Sequence, residues 1–512
     1  METRSSKRKR IAQILENEAN AAIDRISDLP DDVLHQILFL IPIKCVAQMS
    51  VLSKRWKFLW SAFPDLDFTT LYPFDISSKN LKFSNYEKQR NHPLDSTPMD
   101  FITQVLSARD KDSDIRVLCF RGGLGFSRLN SLFRSAIKHN VRELDIEVTT
   151  SVTKDDYFNF PRCVIGSESL RVLKLKSGFR LPPSSIMRNG FQSLRTLSLS
   201  LVILYNQPYL SDLFTESSFP LLKNLHLDMC FGLKYLHVGC RGLEDLSLEK
   251  CFQLHGLDIS CAKLEKMRVT SSFDAYSKKS WVRINAPKLQ HLFWQHNAVS
   301  DTTVFEQSNF LCEAYVGFFT MKGVIGMDKV RSVNNFLSAL SHAGSMVLES
   351  QTIEILSNNN FFIPPFRNLK SLELNIGFSK SNVRGLACLF RSSLMLHTLI
   401  MKMIKDYKIE GKQWNSELRD MTSTEEEKYW ESQIPSLMSF LQHLKVVKIH
   451  RFFECESEVT LAKFLLKHGN ALEEMILCAG RCNAGETLRR QKIRSQMMGF
   501  SRASSNAKLV FH

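Results

Sequence analysis

Four cysteines, Cys230, Cys240, Cys251 and Cys261, recur at steps of 10, 11 and 10 residues. Thiolates ligate metals and act as nucleophiles, so this series is the first place to look for chemistry. A zinc site needs sulfurs converging within a few Å, and the commonest frameworks supply them as CxxC pairs, of which the 512 residues contain none. His291 and His296 flank "LFWQ" without the HExxH pattern that places two imidazoles on one helical face. "RGGLGF", Arg121 to Phe126, lacks the glycine spacing of a dinucleotide loop and the Gly-Lys-Ser/Thr of a P-loop, and reads as a turn. "STEEEKYW", Ser423 to Trp430, is acidic beside aromatics and reads as a solvated helix start. No nucleophile–base pair or metal constellation emerges, so neither an enzymatic activity nor a cofactor is expected.

The side chains that remain unusual are Trp56, Leu59 and Trp60 in "LSKRWKFLW". They stand at i, i+3 and i+4, one face of a helix, while Lys54, Arg55 and Lys57 point elsewhere. The face is short for a membrane-surface helix. For nucleic acid a basic–aromatic mixture is a weak signal, and no zinc-finger or RNA-binding motif accompanies it. Core filling and protein docking are the remaining uses.

Most of the chain is a repeat. L-x-x-L-x-L recurs as "VRELDI" (Val141), "LRVLKL" (Leu170), "LRTLSL" (Leu194), "LKNLHL" (Leu222), "LKYLHV" (Leu233), "LEDLSL" (Leu243), "LHGLDI" (Leu254), "LEKMRV" (Leu264) and "LQHLFW" (Leu289). Further copies follow at Leu369, Leu396, Leu444 and Leu472, with a degenerate one at Leu311. Each final L-x-L is a short strand with one buried face, the core of a leucine-rich repeat. From Leu222 to Leu264 the steps fall to 10 or 11, too short for a coil with two turns. Successive copies are therefore expected on opposite walls, Leu222, Leu243 and Leu264 on one and Leu233 and Leu254 on the other, which restores a step of 21. The four cysteines then fall just after the strands, where the repeat takes a small Asn or Cys inside the corner, and are expected to pack as a ladder. "VRSVNNFLSALSHAG" reads as an amphipathic helix stopped at Gly344.

Residues 23–68 differ. Ser27 or Asp28 can cap a helix, with Pro30 in its first turn and Asp31 and Asp32 at its positive end. Val33, Leu34, Ile37, Leu38 and Ile41 form its stripe, Pro42 ends it, a second helix runs from about Lys44 to Val51, and the third carries the tryptophans. So much apolar surface exceeds what a module this small can bury, which marks an interface. "LPDDVLHQIL", Ile41–Pro42 and "SVLSKRWKFLW" closely resemble the F-box, the adaptor-docking module of Skp–cullin–F-box ubiquitin ligases, in the form of a large plant family. "IPIKCVA" departs at Cys45, where plant members often carry an acidic residue. The repeats resemble those of the same family, and "YWESQIPSLMSFLQHLKVVKIHRFFECESEVTLAKFLLKHGNALEEMIL" resembles its carboxyl-terminal FBD domain.

The resemblance implies an α/β repeat fold: a small three-helix F-box, then a leucine-rich-repeat solenoid with a parallel β wall that the FBD region continues. It implies adaptor contacts by Leu29, Pro30, Val33, Leu34, Ile37, Leu38, Pro42, Leu52, Trp56 and Trp60, and through the adaptor a link to cullin. A protein substrate is expected on the variable positions of the concave wall, at Lys223, His226, Glu244, Asp245, Lys266 and Arg268. The expected layout is a basic tail (1–22), F-box (23–68), linker and approach to the solenoid (69–113), repeats (114–360), FBD with terminal repeats (361–480), and a basic tail with a closing strand (481–512).

The formal charge of +15 favours acidic partners and permits, without selecting, a basic inositol-phosphate pocket like that of related plant receptors. "RSSKRKR" near the start could serve nuclear import. No apolar run reaches membrane-span length, no secretory signal is seen, and twelve cysteines without one point to a reducing compartment, nucleus or cytoplasm. The competing reading is a ligase-independent nuclear repeat scaffold that binds acidic proteins or nucleic acid.

Overall fold

The computed structural model describes residues 26, 29–71, 96–148, 158–182, 184–203, 210–276, 279–320, 325–357, 363–377, 382–404, 422–452, 456–480 and 487–512. The basic run near the start and the Ser27/Asp28 cap lie outside the described residues. The chain divides into two compact units, Met1–Thr149 and Thr150–His512.

The first unit opens with helices α1 (Asp31–Leu38), α2 (Ile43–Met49) and α3 (Lys54–Ser61). Proline starts two of them. Pro30 and Pro42 occupy the N-caps of α1 and α2 at φ −57° and −53°, where a missing N–H costs nothing. Ser53 caps α3 by accepting the Trp56 backbone N–H at 3.2 Å. Leu34, Leu38, Ile43, Val46, Trp56, Leu59 and Trp60 are buried together as the module's core. Arg55 ties α3 back to the start of α1, donating to the Leu29 carbonyl at 2.5 Å and to Asp31 at 2.6 Å.

The β wall starts earlier than the sequence suggests. Asp65–Asp67, at the end of the stretch read as F-box, is a strand pairing in parallel with Val117–Gly122, which pairs with Glu143–Val148. Side chains reinforce the joint: Arg116 makes a two-pronged pair with Asp65 at 2.6 and 2.8 Å and lies over Phe39, which packs on Phe63. Buried Arg109 donates to the Phe63 carbonyl at 2.5 Å. The helical module and first coil are thus one folded body. "RGGLGF", expected as a turn, is a strand-to-helix connection, with Gly122 ending a strand and Gly125 capping the Phe126–Lys138 helix.

In the second unit the strands Val172–Lys176, Thr196–Ser200, Asn224–Asp228, Asp245–Glu249, Lys266–Thr270, His291–Ala298 and Glu313–Phe319 lie side by side in parallel. Ser345–Glu349, Ser371–Ile376, Thr398–Met403, Val446–Phe452, Glu474–Ala479 and Lys508–Phe511 continue the same wall. The alternation solves the ten-residue puzzle: Tyr235–Gly239 and Gly256–Ser260 belong to a second, five-stranded parallel sheet. That sheet also takes in Leu210–Thr215, Trp281–Asn285 and Thr302–Phe305, so the double-walled section is longer than the motif spacing shows.

A repeated corner holds the coils in register. Leu201, Met229, Lys250 and Ser271 each adopt positive φ, between 47° and 58°, directly after a strand. Each donates its N–H to a carbonyl of the next strand, the last one for Leu201, Met229 and Lys250, as Met229 does to Glu249 at 2.9 Å, while Ser271 donates to Gln295 at 3.0 Å. After the last three of these corners, and after His296, which also has positive φ, the following side chain reaches back one coil. Cys230 donates to the Leu199 carbonyl at 3.6 Å, Cys251 to Leu227 at 3.7 Å, Ser272 to Leu248 at 3.3 Å and Asn297 to Val269 at 2.7 Å. These satisfy carbonyls that a buried corner would strand from water. The expected single ladder of cysteines is two, because Cys240 and Cys261 turn the other wall, where Cys261 donates to Val238 at 3.4 Å.

Beyond the second sheet, helices back the wall: Met327–Ala339, Ser350–Leu356, Asn382–Ser392, Ser423–His443 and Glu456–His468. Gly344 does not stop the first of these, which ends at Ala339; its N–H donates to the Cys312 carbonyl at 3.0 Å and opens the next strand. The acidic "STEEEKYW" start is a capping box, Thr422 with Glu425, but its tryptophan is not solvated. Trp430 is buried between Phe390 and Phe464, at ring separations of 6.1 and 5.2 Å. The stretch 481–512, expected as a basic tail with a closing strand, has its strand at Lys508–Phe511 and also contains the Thr487–Met498 helix.

Candidate interaction surfaces

The helical module sorts its apolar residues into two sets. Leu34, Leu38, Trp56 and Trp60, expected at the adaptor contact, are consumed by the module's own core. Leu29 and Ile37 are half-buried, while Pro30, Val33, Pro42 and Leu52 face solvent. The strongest candidates are the expected Leu52, 66% exposed, and three residues sequence reasoning passed over: Leu40 is 87% exposed, Val51 84%, and Phe58 turns outward on α3. Leu40, Val51 and Leu52 sit in the short turns between helices, where periodicity carries no signal. Such large apolar side chains in water beside a closed core mark a docking surface.

On the open face of the wall, register decides which residues meet. One row runs Asn224, Asp245, Lys266, His291, Glu313 and Ser345, and the next runs His226, Ser247, Arg268, Phe293, Tyr315 and Val347. Between them lies an open groove of about 520 Å³. Of the six expected substrate residues, Asp245, Lys266 and Arg268 line it. Lys223 and Glu244 pair with each other at 2.7 Å, and His226 stands two strands before Arg268 in its row.

The second row is a stack. The Arg268 guanidinium lies over the Phe293 ring at 4.1 Å, and that ring lies 4.6 Å from Tyr315. The Tyr315 hydroxyl donates to Glu349 and accepts from Asn375 at 3.3 Å, while Asn375 also donates to Glu349 at 3.2 Å. Burial, then the Glu349 carboxylate, raises the Tyr315 pKa, so the phenol stays protonated. His291 pairs with Glu313 at 3.3 Å, and His296 does not join it.

No group of three or more His, Cys, Asp or Glu among the described residues could hold a metal. Burial pushes the Cys240 and Cys261 thiols up to about 12. At pH 8 that leaves roughly a thousandfold less thiolate than an ordinary thiol offers. Alkylation of the native protein should therefore modify exposed Cys45 and Cys312 and spare Cys240 and Cys261, which mass spectrometry after tryptic digestion reads directly. No helix among the described residues is long and apolar enough to cross a membrane.

A docking module of three helices leading into a parallel-stranded solenoid defines a class of recognition protein, and comparison narrows it. The F-box domain model matches residues 26–66, and the At1g61320/AtMIF1 LRR-domain model matches residues 114–275 and 239–506. The chain is 48% identical to the F-box/FBD/LRR-repeat protein At4g03220 of Arabidopsis thaliana across the whole of both chains. It is 25% identical to F-box/FBD/LRR-repeat protein At3g26920 of the same plant over 98% of each. F-box/LRR-repeat protein 25, also from Arabidopsis thaliana, is 33% identical over 42% of this chain and 70% of that protein. The chain belongs to the plant F-box/FBD/LRR-repeat family.

Proposed function

We propose that this chain is the substrate-recognition subunit of a Skp–cullin–F-box ubiquitin ligase. The observation that carries the reading is the exposed Leu40, Val51 and Leu52 on a module that the F-box model matches and whose core is already closed. The module docks a Skp-type adaptor, the adaptor links to cullin, and the solenoid wall holds a protein substrate. The chain contributes proximity alone: a substrate lysine held near a ubiquitin thioester reacts at a raised effective concentration. None of its residues acts as nucleophile or base.

Co-expression with a plant Skp-type adaptor should give a complex that co-elutes on size exclusion. Leu52→Asp, placed at an exposed turn and therefore harmless to the fold, should weaken it at least tenfold, about 1.4 kcal/mol. Circular dichroism verifies the fold. A well-folded wild type that retains no adaptor would overturn the ligase reading and leave a repeat scaffold acting by itself.

A further inference from the structure

The groove on the open face of the wall carries an inference about what the solenoid holds. The geometry points to a short, extended, acidic–apolar peptide segment of the substrate as its occupant. This rests on the wall being the substrate face, and it names the chemistry that face selects.

The dimensions come first. The groove crosses five strands, from Asp245 to Ser345. At about 4.8 Å per strand its length is roughly 19 Å, which six extended residues span at about 3.3 Å each. One side is the polar row of Lys266, His291 and Glu313; the other is the stack of Arg268, Phe293 and Tyr315 continued by Val347. An extended chain directs alternate side chains to opposite sides, so one edge meets polar groups and the other meets ring edges and a valine.

Charge sets the sense and the kind of anion. Among the described residues Lys266 has no ion pair, and Arg268 comes only within 3.9 Å of Glu249. The Arg268 guanidinium carbon lies 4.1 Å from the centre of the Phe293 ring, and the group's N–H donors can take a carboxylate in bidentate fashion. Asp245 and Glu313 also border the groove. A single carboxylate matches this balance, whereas the near-double charge of a phosphate would be repelled by the flanking acids. The acidic residue therefore sits at the Arg268 end and the apolar residues lie toward Tyr315 and Val347.

The test uses the full chain without adaptor, so that its failure is separate from failure of the ligase reading. The probe is a fluorescein-labelled hexapeptide, glutamate–serine–phenylalanine–serine–valine–serine, followed by fluorescence anisotropy. Binding is expected in the range of about 10⁻⁴ M, as a short flexible ligand allows. Arg268→Ala and Phe293→Ala should each weaken it tenfold or more, Arg268→Lys less, and Arg331→Ala on the Met327–Ala339 helix not at all. Phe293→Leu replaces Phe293→Ala if the latter melts early. Absence of binding at millimolar chain, equal binding of a peptide with lysine for glutamate, tighter binding of a phosphoserine version, or indifference to Arg268→Ala would each overturn the proposal.

Discussion

Trp430→Ala should destabilise the second unit by about 3–5 kcal/mol, the usual cost of deleting a large buried aromatic. The indole lies within a row of rings drawn from three helices: Phe440 stacks on Phe390 at 4.5 Å, Phe390 on Trp430 and Trp430 on Phe464. Removing the middle of that row leaves a cavity that helices fixed to neighbouring coils cannot collapse into. Trp430→Phe is the control, because it keeps a ring in place and removes an indole N–H that has no partner among the described residues. It should cost under about 1.5 kcal/mol. Urea unfolding read by far-ultraviolet circular dichroism separates the two, and a mild Trp430→Ala would show that the rings carry little of the packing.

Gly385→Ala should be destabilising even though alanine is the better helix former. A Cβ at Gly385 would stand 2.2 Å from the Ile353 carbonyl oxygen and 2.9 Å from Ser357 Oγ. The nearest atom is backbone, so relief requires the Asn382–Ser392 helix to move off the Ser350–Leu356 helix. Overpacking of this kind costs up to about 3 kcal/mol, against a helix-propensity gain of about 1 kcal/mol. The net loss, about 2 kcal/mol, should appear as a lowered urea midpoint and as faster amide exchange in those two helices. An unchanged midpoint would mean the helices do not pack this closely in solution.

These two sites show where the sequence is legible and where it is not. The L-x-x-L-x-L copies are local patterns, and their spacing alone requires the two-wall solution. The F-box was equally readable, since "LPDDVLHQIL" and "SVLSKRWKFLW" are local patterns too. What escaped was non-local. Leu210–Thr215, Trp281–Asn285 and Thr302–Phe305 join the second sheet without the leucine pattern, because pairing supplied by neighbouring strands outweighs weak intrinsic signal. Trp430 follows three consecutive glutamates and looks solvated until the helix turns it inward. Trp56 and Trp60 were legible as one face but not as core rather than contact. The groove was only half visible: Arg268, Phe293 and Tyr315 lie more than twenty residues apart in sequence, and register alone makes them neighbours.

The end of the second sheet has a mechanical consequence. Between Leu210 and Phe305 the coil has strands on both sides, and both repeat at the same pitch, about 4.8 Å. Equal pitch front and back gives no reason to bend. From Met327 onward the back carries helices, which need about 8–10 Å each while the strands in front keep their spacing. That mismatch must be taken up as local curvature. The groove from Lys266 to Val347 straddles the change. A peptide seated there would rest its acidic end on coils with strands on both sides and its apolar end where helices take over the back.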